Sequence, residues 1–449
     1  MKVTVVGLGK IGLPLAVQVA GSGHHVAGAD LSEHVVSEVN AGRSPFGGEP
    51  GLDARLAELR ADGSLRATTD TAGAVRESDV VLVVVPLVVD AAKQPDFAAL
   101  DAVTACIGPL LRPGVLVSYE TTLPLGTTRG RFLPALAAAS GLTPGADLFV
   151  CHSPERVSSG TVFRDLARYP KLVGGVDAPS GARAVSFYTS ALQFEQRPDL
   201  PVPNGVWDLG SAEAAEMTKL AETTYRDVNI ALANEFALCA DRWGLDVMEV
   251  IAAANSQPYS HVHRPGVAVG GHCIPVYPHF YLAGDPGATL PAAARVVNTS
   301  MPGYAVRLLH EMLGGVAGRT VVVLGASYRG GVKETAFSGV WQLVAALDDA
   351  GAKVRVHDPL FSDAELSRMG LTSHHLGDPC DAALLQADHR EYGKLSPADL
   401  PGVRAVLDGR GVLDPTRWPG VRVRTLGRPE GAGPLPRGSA AGSPGASAP

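Results

Sequence analysis

Short β-branched runs alternate with helical patterns from the first residues of the chain. KVTVV at 2–6 leads into the turn GLGKIG and then into the helical pattern PLAVQVAGSG. A second run, HVAGAD, ends at Asp30. The alternation continues with DVVLVVVP at 79–86, a helical segment near 98–111, VLVSYE at 115–120 and LFVCHSP at 148–154. Strands that are apolar along their whole length are buried on both faces, and the helices between them supply the cover. The pattern predicts a parallel, doubly wound sheet over residues 1–200.

From Ser211 to Trp243 the pattern changes. SAEAAEMTKLAETTYRDVNIALANEFALCADRW contains neither glycine nor proline. It predicts the spine of a central helical domain over 201–314, long enough to serve as the interface of a homodimer. RTVVVLGASYRG at 319–330 then repeats the strand, turn and helix opening, and KVRVHDP carries Asp358 where HVAGAD carries Asp30. Residues 315–427 are therefore expected to form a second such domain, related to the first in architecture rather than in sequence. The fold class that follows is α/β, with two Rossmann-like doubly wound domains joined by a central helical domain. The last stretch, 428–449, is rich in Gly, Pro, Ala and Ser and predicts a disordered tail.

Composition narrows the function classes. Of 449 residues, 46% are hydrophobic and 18% charged, with a formal net charge of −7. That balance suits an ordinary globular enzyme and carries no nucleic-acid footprint, so any phosphate must be bound by local sites. The longest apolar run, VVLVVVPLVV at 80–89, is broken by Pro86 and too short to cross a bilayer. The opening strand leaves no room for a signal peptide. Five cysteines without CxxC spacing suggest neither a disulfide framework nor a zinc site. A cytoplasmic protein is expected, with no metal, membrane or nucleic-acid partner.

Gly7, Gly9 and Gly12 form GxGxxG directly after a strand and at the start of a helix, and Asp30 follows eighteen residues past Gly12. Such glycines let a pyrophosphate approach the helix N-terminus, whose N–H groups and dipole favour an anion. Asp30 would accept hydrogen bonds from the adenosine ribose and repel a 2′-phosphate, which selects NAD over NADP. Lys10 and Ile11 within the turn, Pro86 at a strand end and Thr121 in ETTLPLGTT complete the expected cofactor set. Cys273 lies in GVAVGGHCIPVYP, 266–278. Gly270 and Gly271 would let a substrate carbon approach its sulfur, while Pro275 and Pro278 stiffen the exit. A thiol beside a nicotinamide cofactor suggests oxidation of an alcohol past the aldehyde to an acid, through a thioester.

The same start, taken with SPER at 153–156, KLAETTYRDVNIALANE at 219–235, GGHCIP at 270–275 and the third unit, resembles the UDP-glucose/GDP-mannose dehydrogenase family. The resemblance covers residues 1 to 427. SPERV, the HC pair at 272–273 and RDVNIALANE are most like the UDP-N-acetyl-D-mannosamine dehydrogenase branch. The resemblance implies two successive hydride transfers from C6 of a nucleotide-linked hexose to NAD⁺. Cys273 would capture the intermediate aldehyde, Lys219 would stabilise developing oxyanions, Glu155 would hold or activate water and Thr122 would position it. Arg156, Thr223, Arg264, Gly270, Gly271, Arg329 and Lys333 make up the expected substrate set.

The chain departs from the family at three places. Tyr277 stands where an Asp is usual, Thr223 where an Asn is usual, and Ala336 where an Arg is expected near the nucleotide sugar. A tyrosine, with a reference pKa of about 10, cannot replace Asp as an anionic base near neutrality. The hydrolytic machinery is then rearranged, or the base is Glu155, or His272 contributes. Arg329 and Lys333 would serve the diphosphate, and His263 or Arg264 a lost sugar contact. Three outcomes stay open beside the leading one. They are a UDP- or dTDP-glucose 6-dehydrogenase, an enzyme that stops at the aldehyde, and a non-catalytic nucleotide-sugar-binding homologue.

Overall fold

The computed structural model describes residues 1–430 and 432. These form two compact units, Met1–Glu222 with His279–Pro286, and Thr223–Pro278 with the residues from Gly287 on.

The strands of the first unit, in chain order, are β1 (Lys2–Val6), β2 (His25–Ala29), β3 (Leu65–Thr68), β4 (Val80–Val83), β5 (Val88–Val89), β6 (Pro95–Asp96), β7 (Val115–Tyr119), β8 (Leu148–His152), β9 (Lys171–Gly175) and β10 (Val206–Asp208). β5 and β6 pair with each other as a small antiparallel ribbon. The other eight form one sheet in the order β10-β9-β8-β7-β4-β1-β2-β3. Strand order reverses between β1 and β4, and ligands of open α/β sheets bind at such a switch point. Val3 and Val5 of β1, Leu82 of β4 and Leu116 of β7 are buried against helices such as Gly12–Gly21 and Ala178–Ala191.

One pairing differs from the expected parallel sheet: β9 runs antiparallel to β8. The reversal has a consequence for chemistry. It turns the first residue of β9, Lys171, to the edge where β7 and β8 end.

In the second unit, β11 (Thr320–Leu324), β12 (Lys353–His357), β13 (Ala382–Leu385), β14 (Ala405–Asp408) and β15 (Arg422–Thr425) form a parallel sheet in the order β12-β11-β13-β14-β15. Val321 and Val323 pack on one face with helices Thr289–Leu313 and Val340–Asp349. Val322 and Leu324 pack on the other with Tyr392, Leu400 and Trp418. The doubly wound expectation holds for both sheets. The glycine-free stretch from Ser211 folds as the 32-residue helix Ala212–Trp243.

Part of the expected tail is packed. Arg428 is 5% exposed and ion-paired with Asp246, and Glu430 pairs with Arg422. Residues 431 and 433–449 lie outside the described residues. Among the described residues, no helix is long and apolar enough to cross a membrane, and no group of three or more His, Cys, Asp or Glu could hold a metal ion.

Candidate active site

The glycine turn of the first unit fits a dinucleotide. Gly7 takes φ +93°, and a Cβ there would lie 2.9 Å from the Val84 carbonyl oxygen. A Cβ on Gly12 would come within 1.9 Å of the Gly7 carbonyl oxygen, so only glycine lets helix Gly12–Gly21 start so close to the strand. A Cβ on Gly9 would meet nothing within 4 Å, which leaves that face of the turn open. Lys10 is exposed and Ile11 half-buried at the helix N-cap, where no side chain caps the first N–H groups. Asp30 does more than expected of a ribose acceptor: its Oδ2 accepts Leu8 N–H at 2.8 Å and its Oδ1 accepts Ser32 N–H at 2.9 Å. It braces the turn as well as facing its mouth. Pro86 is exposed beyond β4, and Thr121 donates its hydroxyl to the Val85 carbonyl at 2.6 Å, tying the segment after β7 to the one after β4.

Past the ends of β7 and β8 lies a buried ionic cluster. Lys171 Nζ reaches Glu120 Oε2 at 2.5 Å and Glu155 Oε2 at 3.0 Å. Glu155 Oε1 accepts the N–H groups of Arg156 at 2.7 Å and Val157 at 3.2 Å. Tyr188 donates to Glu120 Oε1 and lies 2.7 Å from Ser118 Oγ. Burial opposes ionisation of Glu155, but the Lys171 ammonium and the backbone N–H groups outweigh it and hold the carboxyl below its usual range. Burial pushes Glu120 the other way, up to about 7, against the pull of Lys171. Burial also opposes the Lys171 charge, yet two carboxylates keep the amine above its ordinary value. His152 is fully buried with neither ring nitrogen hydrogen-bonded, and burial with the Lys171 charge pushes it down to about 3.

Thr122 and Lys219 are both buried, the latter on helix Ala212–Trp243. Thr223, one turn further, is 5% exposed. Arg156, expected to meet substrate, is ion-paired with Glu222, and its Nη1 donates to the Pro170 carbonyl at 3.2 Å.

In the second unit Cys273 is exposed. The glycines before it also serve a packing purpose. A Cβ on Gly270 would lie 2.7 Å from Tyr328 Cβ and 3.0 Å from the Phe337 carbonyl oxygen; one on Gly271, at φ +92°, would meet the Tyr328 ring at 3.1 Å. They let the cysteine loop lie against Tyr328, where Gly271 N–H also donates to the Ala336 carbonyl at 3.2 Å. The loop's other end is closed by Tyr277 N–H on the Cys273 carbonyl at 2.9 Å. Upstream, Asn229 Oδ1 accepts His263 N–H at 2.7 Å and Asn234 Oδ1 accepts Gly266 N–H at 2.9 Å. The run leading to the cysteine is thus held to a helix by two asparagine amides.

His272 is 62% exposed and 3.7 Å from Glu334 Oε2. Arg329 lies over the Tyr328 ring and donates to its hydroxyl at 3.1 Å. Lys333, expected at a diphosphate, pairs with Glu365 at 2.6 Å above the Phe361 ring. Half-buried Arg264, its charge disfavoured by desolvation, lines a small cavity with Arg410. Arg410 follows β14, donates to the Gln386 carbonyl at 2.6 Å and is also disfavoured as a cation by burial. Sequence reasoning passed over Arg410, Glu120, Lys171, Asn229 and Asn234. Lysine at the start of the apolar run KLVGG was the one local signal.

An open glycine turn at a switch point, closed by an acid after the second strand, defines a dinucleotide-binding protein. Comparison with known proteins refines that class. Family models match along the chain: the NAD binding domain of the UDP-glucose/GDP-mannose dehydrogenase family at 1–192, its central domain at 213–299 and its UDP binding domain at 322–415. A UDP-N-acetyl-D-mannosamine dehydrogenase of Pyrococcus horikoshii is 34% identical over 92% of this chain and 96% of its own. An NDP-N-acetyl-D-galactosaminuronic acid dehydrogenase of Ralstonia nicotianae is 32% identical over 92% of this chain and 97% of its own. Among solved structures, the UDP-D-ManNAc dehydrogenase of P. horikoshii superposes with a TM-score of 0.84 at 32% identity, covering 95% of this chain and 99% of its own. A UDP-glucose dehydrogenase from Pyrobaculum islandicum gives 0.82 at 26% identity, covering 95% and 97%. The chain belongs to the UDP-glucose/GDP-mannose dehydrogenase family. It is an NAD-dependent oxidoreductase that acts on the CH–OH group of a nucleotide sugar.

Proposed function

We propose that the protein oxidises C6 of a UDP-N-acetylhexosamine, of the N-acetylmannosamine type, to the uronate in two successive two-electron steps. The exposed thiol of Cys273 on a loop that only glycines allow carries this reading. The names of the relatives above support the sugar. NAD⁺, held by the Gly7–Gly12 turn and Asp30, supplies the hydride acceptor when bound.

In the first step the C6 alcohol loses its hydroxyl proton to solvent and a hydride from carbon. The Cys273 thiolate then adds to the aldehyde carbon, forming a C–S bond and an alkoxide. Lys219 stabilises that oxyanion; charge placed where it develops is worth most in a dry site. A tetrahedral adduct is a better hydride donor than a free aldehyde, and losing the second hydride leaves a thioester. Thr122 positions a water, Glu155 takes its proton, and the hydroxide adds to the thioester carbonyl. Collapse of that adduct breaks the C–S bond and returns the thiolate. Glu155 suits this part, because its carboxyl is held below its usual range. Arg329 is the better diphosphate partner of the two expected cations, since Lys333 is already paired.

A second copy of the chain is the proposed partner. Tyr225, Leu232, Phe236 and Trp243 recur at helical spacing along Ala212–Trp243 and are 56%, 41%, 39% and 76% exposed. A stripe of this kind on a water-soluble enzyme favours burial against its like. Sedimentation of the wild type against Phe236→Asp tests it; a monomeric wild type overturns it.

The test of the reaction is a panel of nucleotide sugars with NADH counted per product. Two NADH per uronate from a UDP-N-acetylhexosamine supports the proposal. One NADH with accumulating aldehyde, preference for UDP- or dTDP-glucose, or binding without turnover each replaces it with the corresponding alternative.

A further inference from the structure

Lys171 is a lysine in a place where lysine is rarely found. It is 4% exposed at the first position of an apolar strand, and Glu120 beside it is wholly buried. Charged side chains are seldom fully buried unless paired, and one carboxylate would suffice to pair this one. The cluster instead joins one ammonium to two carboxylates of unlike surroundings. Glu120 is sealed, with Tyr188 donating to its second oxygen, while Glu155 keeps 11% of its side chain exposed. A purely structural ion pair explains the first arm and leaves the second unexplained.

We propose that Lys171 is the positioning residue of Glu155, fixing its carboxylate for the attacking water, and that Glu120 is the buried group that holds Lys171 in place. This rests on Glu155 being the group that activates water. The placement follows from the fold. Only because β9 runs antiparallel to β8 does its first residue meet the segments that follow β7 and β8. Glu155 Oε1 is held by two backbone N–H groups and Oε2 by Lys171, so the carboxylate has no freedom to swing away. Lys171 is fixed in turn by Glu120, by the Ser153 carbonyl at 3.5 Å and by the Tyr188 ring 5.0 Å away.

The remaining titratable and charged groups around the cluster come from five elements, among them helix Val162–Arg168, whose buried Asp165 lines a small cavity with Glu155, Lys171 and Tyr169. β8 contributes Cys151 and His152, helix Ala178–Ala191 contributes Tyr188, and β10 contributes Asp208. Helix Ala212–Trp243 contributes Lys219 and, through its pair with Arg156, Glu222. Lys219 is the other cation that favours the ionised form of Glu155. It sits on a different element.

The arrangement predicts unlike responses from Lys171 and Glu120. An ammonium removed beside Glu155 makes its carboxylate harder to form, so the acid limb of the hydrolytic step moves up in pH. Glu120, pushed up to about 7 by burial, is already protonated where Glu155 titrates, so the loss of its charge leaves the limb in place. The reading is uronate released in single turnovers across pH. Lys171→Met should raise the limb by about one to two units and slow release at neutral pH roughly tenfold. Glu120→Gln should leave it within about half a unit of wild type. Lys171→Arg, which keeps the charge, should return the limb to within about half a unit of wild type.

Circular dichroism and NAD⁺ binding establish that each variant is folded. Should Lys171→Met not fold, Lys171→Gln removes the charge with a polar side chain and is read in the same way. An unmoved limb without the ammonium, or one that Lys171→Arg does not restore, reduces the cluster to a structural clamp and overturns the inference. Glu155→Gln separates the two levels: if it releases uronate at the wild-type rate, the assignment of the water-activating base fails, whatever Lys171 does.

Discussion

Asp30 and Asp358 make the same backbone contacts at the ends of the second strands of two different sheets. Asp30 Oδ2 accepts the N–H of Leu8, just past positive-φ Gly7, and its Oδ1 accepts the N–H two residues on, from Ser32. Asp358 Oδ2 accepts the N–H of Ala326, just past positive-φ Gly325, and its Oδ1 accepts the N–H two residues on, from Leu360. Gly7 and Gly325 donate alike, to the carbonyls of Ala29 at 2.8 Å and His357 at 2.7 Å. The two carboxylates differ in what else they meet. Asp358 is buried, accepts Ser327 N–H and lies 3.1 Å from His389 Nε2. Asp30 is half-buried, and its side chain has no such imidazole neighbour in the contacts described above. Of the two strand-end acids, Asp30 is the less buried and the one proposed to meet a ribose.

Removing the Asp30 charge should therefore act on cofactor choice and on the turn together. Asp30→Asn keeps one acceptor for the backbone but no longer repels a 2′-phosphate. KM for NAD⁺ should rise roughly tenfold, about the worth of one hydrogen bond, and discrimination against NADP⁺ should relax. Steady-state rates with both cofactors check this. A wild type that already uses NADP⁺ equally well would place the discrimination elsewhere.

His389 should matter for stability rather than for cofactor binding. Burial opposes ionisation of Asp358, but the His389 side chain and the backbone N–H groups outweigh it and hold its carboxyl below the usual range. A carboxyl depressed on folding adds stability above its unfolded pKa, and that share is lost as pH falls through the folded value. His389→Ala should cost about 1–3 kcal/mol at neutral pH. The deficit should shrink in acid, where Asp358 protonates in both proteins. Denaturant melts at pH 7 and at a pH below the depressed value of Asp358 measure it, and an equal deficit at both would mean that packing alone is lost.

How far the chain could be read before its structure depended on how local each feature is. The glycine turn and the two doubly wound sheets are written in contiguous runs, and both were recognisable. Lys171 was not, because its role depends on β9 reversing against β8, a pairing between segments that nothing in KLVGG specifies. Glu120 stands beside Thr121 in a segment already singled out, yet a carboxylate at a strand end is usually a surface group. Its burial depends on Tyr188, far along the chain. Gly270 and Gly271 were read for the approach of a ligand, and their close approach to Tyr328 was not legible. Arg156 and Lys333 were legible as cations but not as partners of Glu222 and Glu365.

The contact of Gly270 with Tyr328 gives a variant that displaces the cysteine without altering it. Gly270→Ala would set a methyl 2.7 Å from Tyr328 Cβ, an atom fixed to the backbone that cannot swing aside. Overpacking of this sort costs about 1–3 kcal/mol and is relieved by backbone movement. Uronate formation should fall at least roughly tenfold, since a misplacement of an ångström can cost more than that. NAD⁺ affinity should be unchanged. Thiol alkylation and uronate assays on the variant report the two effects; wild-type turnover would show that the loop tolerates the shift.

Cys273 itself carries the last prediction, and the discriminating substrate is the aldehyde. With the nucleotide-sugar alcohol, Cys273→Ala should nearly abolish uronate, because no thiohemiacetal can form for the second hydride. That result alone could also come from a damaged first step. Supplied with the aldehyde and NAD⁺, the same variant bypasses the first oxidation and should still fail to make acid. Cys273→Ser retains a nucleophile but forms an oxygen ester, and an alkoxide leaves less readily than a thiolate, so hydrolysis should be slow. Mass spectrometry should then detect protein carrying the acylated sugar nucleotide, while wild type turns over too fast to show it. If Cys273→Ala converts the aldehyde at the wild-type rate, the hydrated aldehyde is the hydride donor, and the exposed thiol on its glycine-framed loop has no covalent part in the reaction.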